Sequence, residues 1–184
     1  EVHACRKAYS AMYAAANKLF DLLDPLYYDM EIISEDEYNA FNDMVYEAQD
    51  HFRNGDISAE EALALAAQLD IFDEMLPQVD GVYQLGTVAQ LKLFGMTVNN
   101  GESDAKAVLT NDIDMSNVES FTAIGTTSHP FSGEFDGQNF KISNFGQFVE
   151  EEGGEGYYTL AFAGDRQGLF GFVQNATVKN FSID

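Results

Sequence analysis

The chain has 184 residues, 46% of them hydrophobic, with 31 Asp/Glu against 9 Lys/Arg and a formal net charge of −22. That apolar fraction excludes a disordered polypeptide. The charge, with no Lys/Arg cluster, excludes a phosphate-reading surface for nucleic acid.

Both halves are acidic: residues 1–80 hold 18 acidic and 4 basic residues, residues 81–184 hold 13 and 5. The single cysteine, Cys5, leaves no intrachain disulfide and reads as a buried helix cysteine. No apolar run reaches the roughly 18 residues of a membrane span, so no membrane insertion is expected. Glu1 is preceded by no leader, which reads as a processed form whose targeting segment is gone.

In chain order, Cys5, Ala8, Met12, Ala15, Leu19 and Leu22 recur at helical steps, predicting a first helix from Val2 to Leu23 that Asp24-Pro25 ends. Leu26-Tyr27-Tyr28 follows, read either as a recognition patch or as a loop packed over the helix ends. Ser34 and Glu37 form an S-x-x-E capping box opening a second helix with Tyr38, Phe41, Met44/Val45, Ala48 and Phe52 on one stripe; Asn54-Gly55 stops it. Ser58 and Glu61 repeat the device for a third helix burying Leu63, Ala66, Leu69 or Ile71, Phe72 and Leu76, closed by Pro77. The expectation for 1–79 is a three-helix bundle.

From 80 to 184 the texture changes. Val82–Leu85 reads as a short strand, and Thr87 caps a helix through about Val98. Phe131–Gly137 and Gly168–Val173 alternate like half-buried strands. Asn111, Asn144 and Asn180 recur in similar settings at spacings of 33 and 36, a period that predicts a solenoid. They would stack as a structural ladder of side-chain amides, over an apolar column of Leu109, Ile113, Phe135, Ile142, Phe145, Leu169, Phe170, Val178, Phe181 and Ile183. The fold class expected is therefore multidomain, α plus β: a three-helix bundle, then the capped start of a right-handed parallel β-helix that continues beyond Asp184.

Two resemblances bear on this. From Tyr38 to Leu76, with the N-G-D-I-S-A-E-E turn and the alanine-rich last helix, the sequence resembles FIVAR-type helical modules of bacterial surface proteins. Four ordered blocks resemble the GLUG-motif family: GVYQLGTVAQLKLFGMTVNNG (81–101), AVLTNDIDMS (107–116), FTAIGTTSHPFSGEFDGQNFKISNF (121–145) and GLFGFVQNATVKNFSID (168–184). The family pattern has His after the F-D-G-x-G turn, where this chain has Asn139-Phe140, so no ligand role is carried over to that position. The resemblance implies a secreted or surface-anchored bacterial protein and supplies no catalytic residues.

Candidate sites follow. His3, His51 and His129 lie in three separate segments without metal-ligand spacing, and Ser128 and Ser132 lack a G-x-S-x-G setting. No enzyme activity is expected in this chain. Oxygen ligands for calcium are offered by Asp112 and Asp114, and by Glu151, Glu152 and Glu155 in a Glu/Gly-rich insertion; no other cofactor is expected. Tyr157, Tyr158 and Phe162 beside that insertion form a candidate ligand-binding patch, because insertions project from one face of a solenoid. The expected function is non-catalytic adhesion or display towards an extracellular protein or glycan. The alternative is an accessory region of a larger extracellular protease or glycosidase.

Overall fold

The computed structural model describes residues 2–118, 120–146, 148–150, 158–160 and 168–184. The protein is mixed α/β and divides into two compact units, Glu1–Glu74 and Met75–Asp184.

In the first unit, α1 (Val2–Asp24) packs along both α2 (Glu35–Asn54) and α3 (Ala59–Leu69). Its buried face is Ala8, Met12, Ala16, Leu19 and Leu23, the expected stripe turned by one residue in its second half. Cys5 is exposed, contrary to expectation, because that stripe begins only at Ala8. Both capping boxes form: the Ser34 hydroxyl accepts from the Glu37 amide and the Ser58 hydroxyl from the Glu61 amide, while each glutamate accepts from the backbone N–H of its serine. These contacts satisfy amide groups that a helix start otherwise leaves bare.

Helix α3 is shorter than the sequence suggests. At Asp70 the backbone leaves helical geometry (φ −88°, ψ 59°), and Lys18 Nζ holds the Asp70 carboxylate at 2.8 Å. A separate turn, α4 (Phe72–Met75), follows. The buried face of α3 runs through Ala62 and Leu69, so Leu63, expected inside, is exposed.

In the second unit, β1 (Gln78–Val79) pairs antiparallel with β2 (Val82–Leu85), and α5 (Val88–Asn99) starts at Thr87, whose hydroxyl accepts from the Gln90 amide. All later pairings of the two larger sheets are parallel. Strands β2, β3 (Lys106–Leu109), β5 (Glu134–Asp136) and β9 (Thr177–Lys179) follow one another in one sheet. Strands β4 (Ile113–Asp114), β6 (Lys141–Ser143) and β10 (Ser182–Ile183) do so in the other. Between β6 and β9, β7 (Phe148–Glu150) and β8 (Tyr158–Leu160) form an antiparallel pair. Gly168–Val173 forms no continuous strand; it contributes single parallel bridges, Phe170 to Ile124 and Val173 to Phe131.

Apolar residues face one another in register: Ile113, Ile142 and Ile183 align, as do Ala107, Phe135 and Val178. The interior is aromatic. Phe94 of α5 meets Phe131 at 6.0 Å and Phe135 at 6.3 Å, and Phe135 meets Phe170 and Phe181 at 5.4 and 5.3 Å. Asn99 fastens the end of α5 by donating to the Ala123 carbonyl and accepting from the Gly125 amide. Of the residues expected in an apolar column, Leu109, Ile113, Phe135, Ile142 and Leu169 are buried, but Val178 and Ile183 are 39% and 44% exposed. They lie on β9 and β10, the last strand at one end of each sheet, where among the described residues no further strand covers them.

Backbone approach is closest at Gly133, where a β-carbon would overlap the Ala105 carbonyl, so only glycine fits between β3 and β5 at this point.

Candidate functional site

The predicted residues separate. Tyr157, Phe162, Glu151, Glu152 and Glu155 lie outside the described residues. Tyr158 opens β8, with its backbone opposite Glu150 of β7.

Asp112 and Asp114 serve the strand stack. Asp112 Oδ1 accepts the Lys141 amide at 2.8 Å; Asp114 Oδ1 accepts from Asn144 Nδ2 at 2.7 Å and from the Ser116 amide at 3.0 Å. The Asn144 hydrogen bond, with the Ser116 contacts, holds the Asp114 carboxyl below its ordinary range. Among the described residues, no group of three or more His, Cys, Asp or Glu comes together as a metal site. No helix among them is long and apolar enough to cross a membrane.

The asparagine ladder needs correcting. Asn144 follows β6 and Asn180 follows β9, in different sheets, so they do not lie above one another. What they share is a job: each takes a left-handed backbone (φ 57° and 60°) and donates to an aspartate on the preceding strand of its own sheet, Asn144 to Asp114 and Asn180 to Asp136. Asparagine suits this because its short amide tolerates positive φ. Asn111 lies elsewhere, against Gly86, where a β-carbon would meet its Nδ2 at 2.9 Å. The structural interval is 28 residues from Lys106 to Glu134 and 29 from Ile113 to Ile142, then 43 from Glu134 to Thr177 and 41 from Ile142 to Ile183. The spacings of 33 and 36 came from comparing positions across two sheets.

The side chains that the fold does gather are tyrosines of the helical unit. After Asp24 the chain does not simply stop being helical; it widens into a single π-turn, Pro25–Asp29, closed by the Met30 amide on the Pro25 carbonyl at 2.9 Å. Leu26 and Ile33 are buried and anchor the turn. Tyr27 and Tyr28 meet edge to face at 4.7 Å, and both approach Tyr38 of α2, at 5.0 and 6.0 Å. The Tyr38 hydroxyl donates to Asp24 Oδ1 at 2.9 Å, which pushes its pKa up. Tyr28 remains 67% exposed.

Within the Leu26-Tyr27-Tyr28 segment, Leu26 is buried in the core and Tyr28 faces solvent. The role of Tyr38 was missed in sequence. Its signal was available, since Ile33 and Tyr38 flank the Ser34 cap at the positions of a hydrophobic staple. Aromatic faces beside a carboxylate offer chemistry suited to binding. Compared with protein-family models, curated proteins and solved structures, the chain matches none.

Proposed function

We propose that this chain is a non-catalytic binding and display region of a secreted or cell-surface bacterial protein. In this reading Met75–Asp184 is the start of a right-handed parallel β-helix of GLUG type with α5 as its cap, and Glu1–Glu74 is a FIVAR-like three-helix bundle. The observation that carries it is the parallel succession β2-β3-β5-β9 beside β4-β6-β10, with apolar residues in register. Such a stack is a stiff one-dimensional scaffold whose insertions project sideways. The β7–β8 hairpin is such an insertion, and Tyr157, Tyr158 and Phe162 around it are the proposed contact residues. The open edge of a first rung invites aggregation, and α5, with Phe94 lying on Phe131 and Phe135, suits a cap.

The test is an array of host proteins and glycans probed with the purified chain. Reproducible capture of a ligand, weakened by Tyr157→Ala with Tyr158→Ala, is the expected result. Absence of any ligand would leave a structural spacer and overturn the binding reading.

A further inference from the structure

We propose that the tyrosine cluster at the α1–α2 junction is a docking site for an arginine- or lysine-bearing segment of a partner protein, held by cation–π contact with Tyr28 and its neighbours and by the carboxylates of Asp24 and Glu31. The assignment deepens the binding reading but stands on the helical unit alone.

Three observations converge on it. First, Tyr27, Tyr28 and Tyr38 form a contiguous aromatic surface with one ring largely in solvent, and Asp24 is already fixed against it through Tyr38. Second, the flanking sequence carries a single sign: between Leu19 and Phe52 it holds ten acidic residues and no lysine or arginine. Among the described residues, none of Asp21, Asp24, Glu31 and Glu35 forms an ion pair, and no cation lies over these three rings. Third, Glu31, three residues past Tyr28, is held at φ 52°, a conformation in which asparagine or glycine would be less strained. Glu31 thus adds an exposed carboxylate to the segment that carries Tyr27 and Tyr28.

The same unit already displays this chemistry with its cation in place. Lys18 Nζ lies 5.6 Å from the Phe72 ring centroid and 2.8 Å from Asp70 Oδ1. The tyrosine cluster offers the same pairing of ring and carboxylate to a cation from outside. A second copy of the chain is a poor occupant, because at net −22 two copies repel. Arginine fits best, since its planar guanidinium stacks on an aromatic face while its edge donates to a carboxylate.

The experiment is fluorescence anisotropy of a fluorescein-labelled octa-arginine peptide titrated with the full chain at physiological salt, with a Gly-Ser peptide as control and thermal melts confirming each variant's fold. Tyr28→Ala, which changes no charge, is expected to weaken binding about five-fold, as the loss of exposed cation–π contact requires. Glu31→Asn is expected to weaken it roughly two- to three-fold while leaving the melting temperature unchanged or raised, a combination that a merely structural role would not produce. Glu60→Gln, on α3 away from the cluster, removes the same charge and is expected to leave affinity unchanged. Equal binding by Tyr28→Ala and wild type overturns the proposal, as does equal weakening by Glu31→Asn and Glu60→Gln, which marks diffuse charge attraction. Loss on Tyr28→Ala of binding to a neutral glycan, without loss of peptide binding, overturns it in favour of a sugar platform. An array ligand insensitive to Tyr28 would leave the display reading standing while this site failed.

Discussion

In the helical unit the structure is held by side chains. Serine hydroxyls and glutamates close the starts of α2 and α3, and the interior is filled by Met12, Leu19, Leu23, Val45 and Leu69. In the strand unit the backbone does more of the holding: parallel ladders join segments far apart in sequence, and a glycine allows two of them to touch. The first arrangement localises damage, since removing one cap or one methyl group leaves neighbouring turns intact. The second transmits it, since a strand that cannot approach its neighbour loses every hydrogen bond beyond that point.

The largest test of this contrast is Gly133→Ala. The added methyl group has no room against the Ala105 carbonyl, and a destabilisation above about 3 kcal/mol is expected. Thermal unfolding should show the β-signal melting early while the helical transition stays in place. Gly55→Ala is its counterpart, at φ 65° with nothing within 4 Å of the new β-carbon, so only backbone strain of about 1 kcal/mol is expected. Equal effects for the two would abolish the contrast. In the helical core, Met12→Ala should cost roughly 3 kcal/mol by leaving a cavity, read as a lowered helical melting point alone.

Smaller effects sharpen the comparison. Asn180→Ala loses a bond to Asp136 and a residue suited to positive φ, and should cost about 1–2 kcal/mol; Asn180→Gly isolates the bond and should cost less. Ser58→Ala should cost about 1 kcal/mol, measured by urea unfolding of the helical signal.

The smallest expected effect is a pH dependence. His51 is bonded to Asp56 at 2.6 Å and lies 3.5 Å from Glu47, and the Asp56 bond raises its pKa. Its contribution is complete below the unfolded value of about 6.5 and is lost as pH rises through the raised folded value. In the strand unit Asp114 and Asp136 are depressed, Asp114 chiefly by Asn144 and Asp136 chiefly by the Gln138 amide. Their contribution is present above about 3.9 and lost as pH falls through the depressed values. Melting followed from pH 6 to 8 should therefore show a slight decline in the helical transition, absent in His51→Gln, and a flat strand transition.

The helices were legible because their signals are local: Ser34 with Glu37 and Ser58 with Glu61 each specify a start within four residues. The end of α3 was not, because Asp70 leaves the helix where Lys18, 52 positions away, meets its carboxylate. The short strand Val82–Leu85 and the Thr87 cap were also readable. Strand register was not, since parallel partners lie 24 to 43 residues apart and nothing near Asn144 or Asn180 states which sheet each one ends. At the tyrosine cluster the sequence showed Tyr27 and Tyr28 but not the third ring, which α2 brings from ten residues further on.

The unequal intervals between paired strands carry a consequence for engineering. The stretch from β6 to β9 is longer than the one before it by 15 residues in one sheet and 12 in the other, yet parallel pairing resumes in register on both sides. Closing a longer loop costs little, about 0.6 kcal/mol for each doubling of its length. The segment around β7 and β8 is accordingly a natural graft point, where a foreign peptide can be inserted and presented without renegotiating the pairing of the strands that frame it.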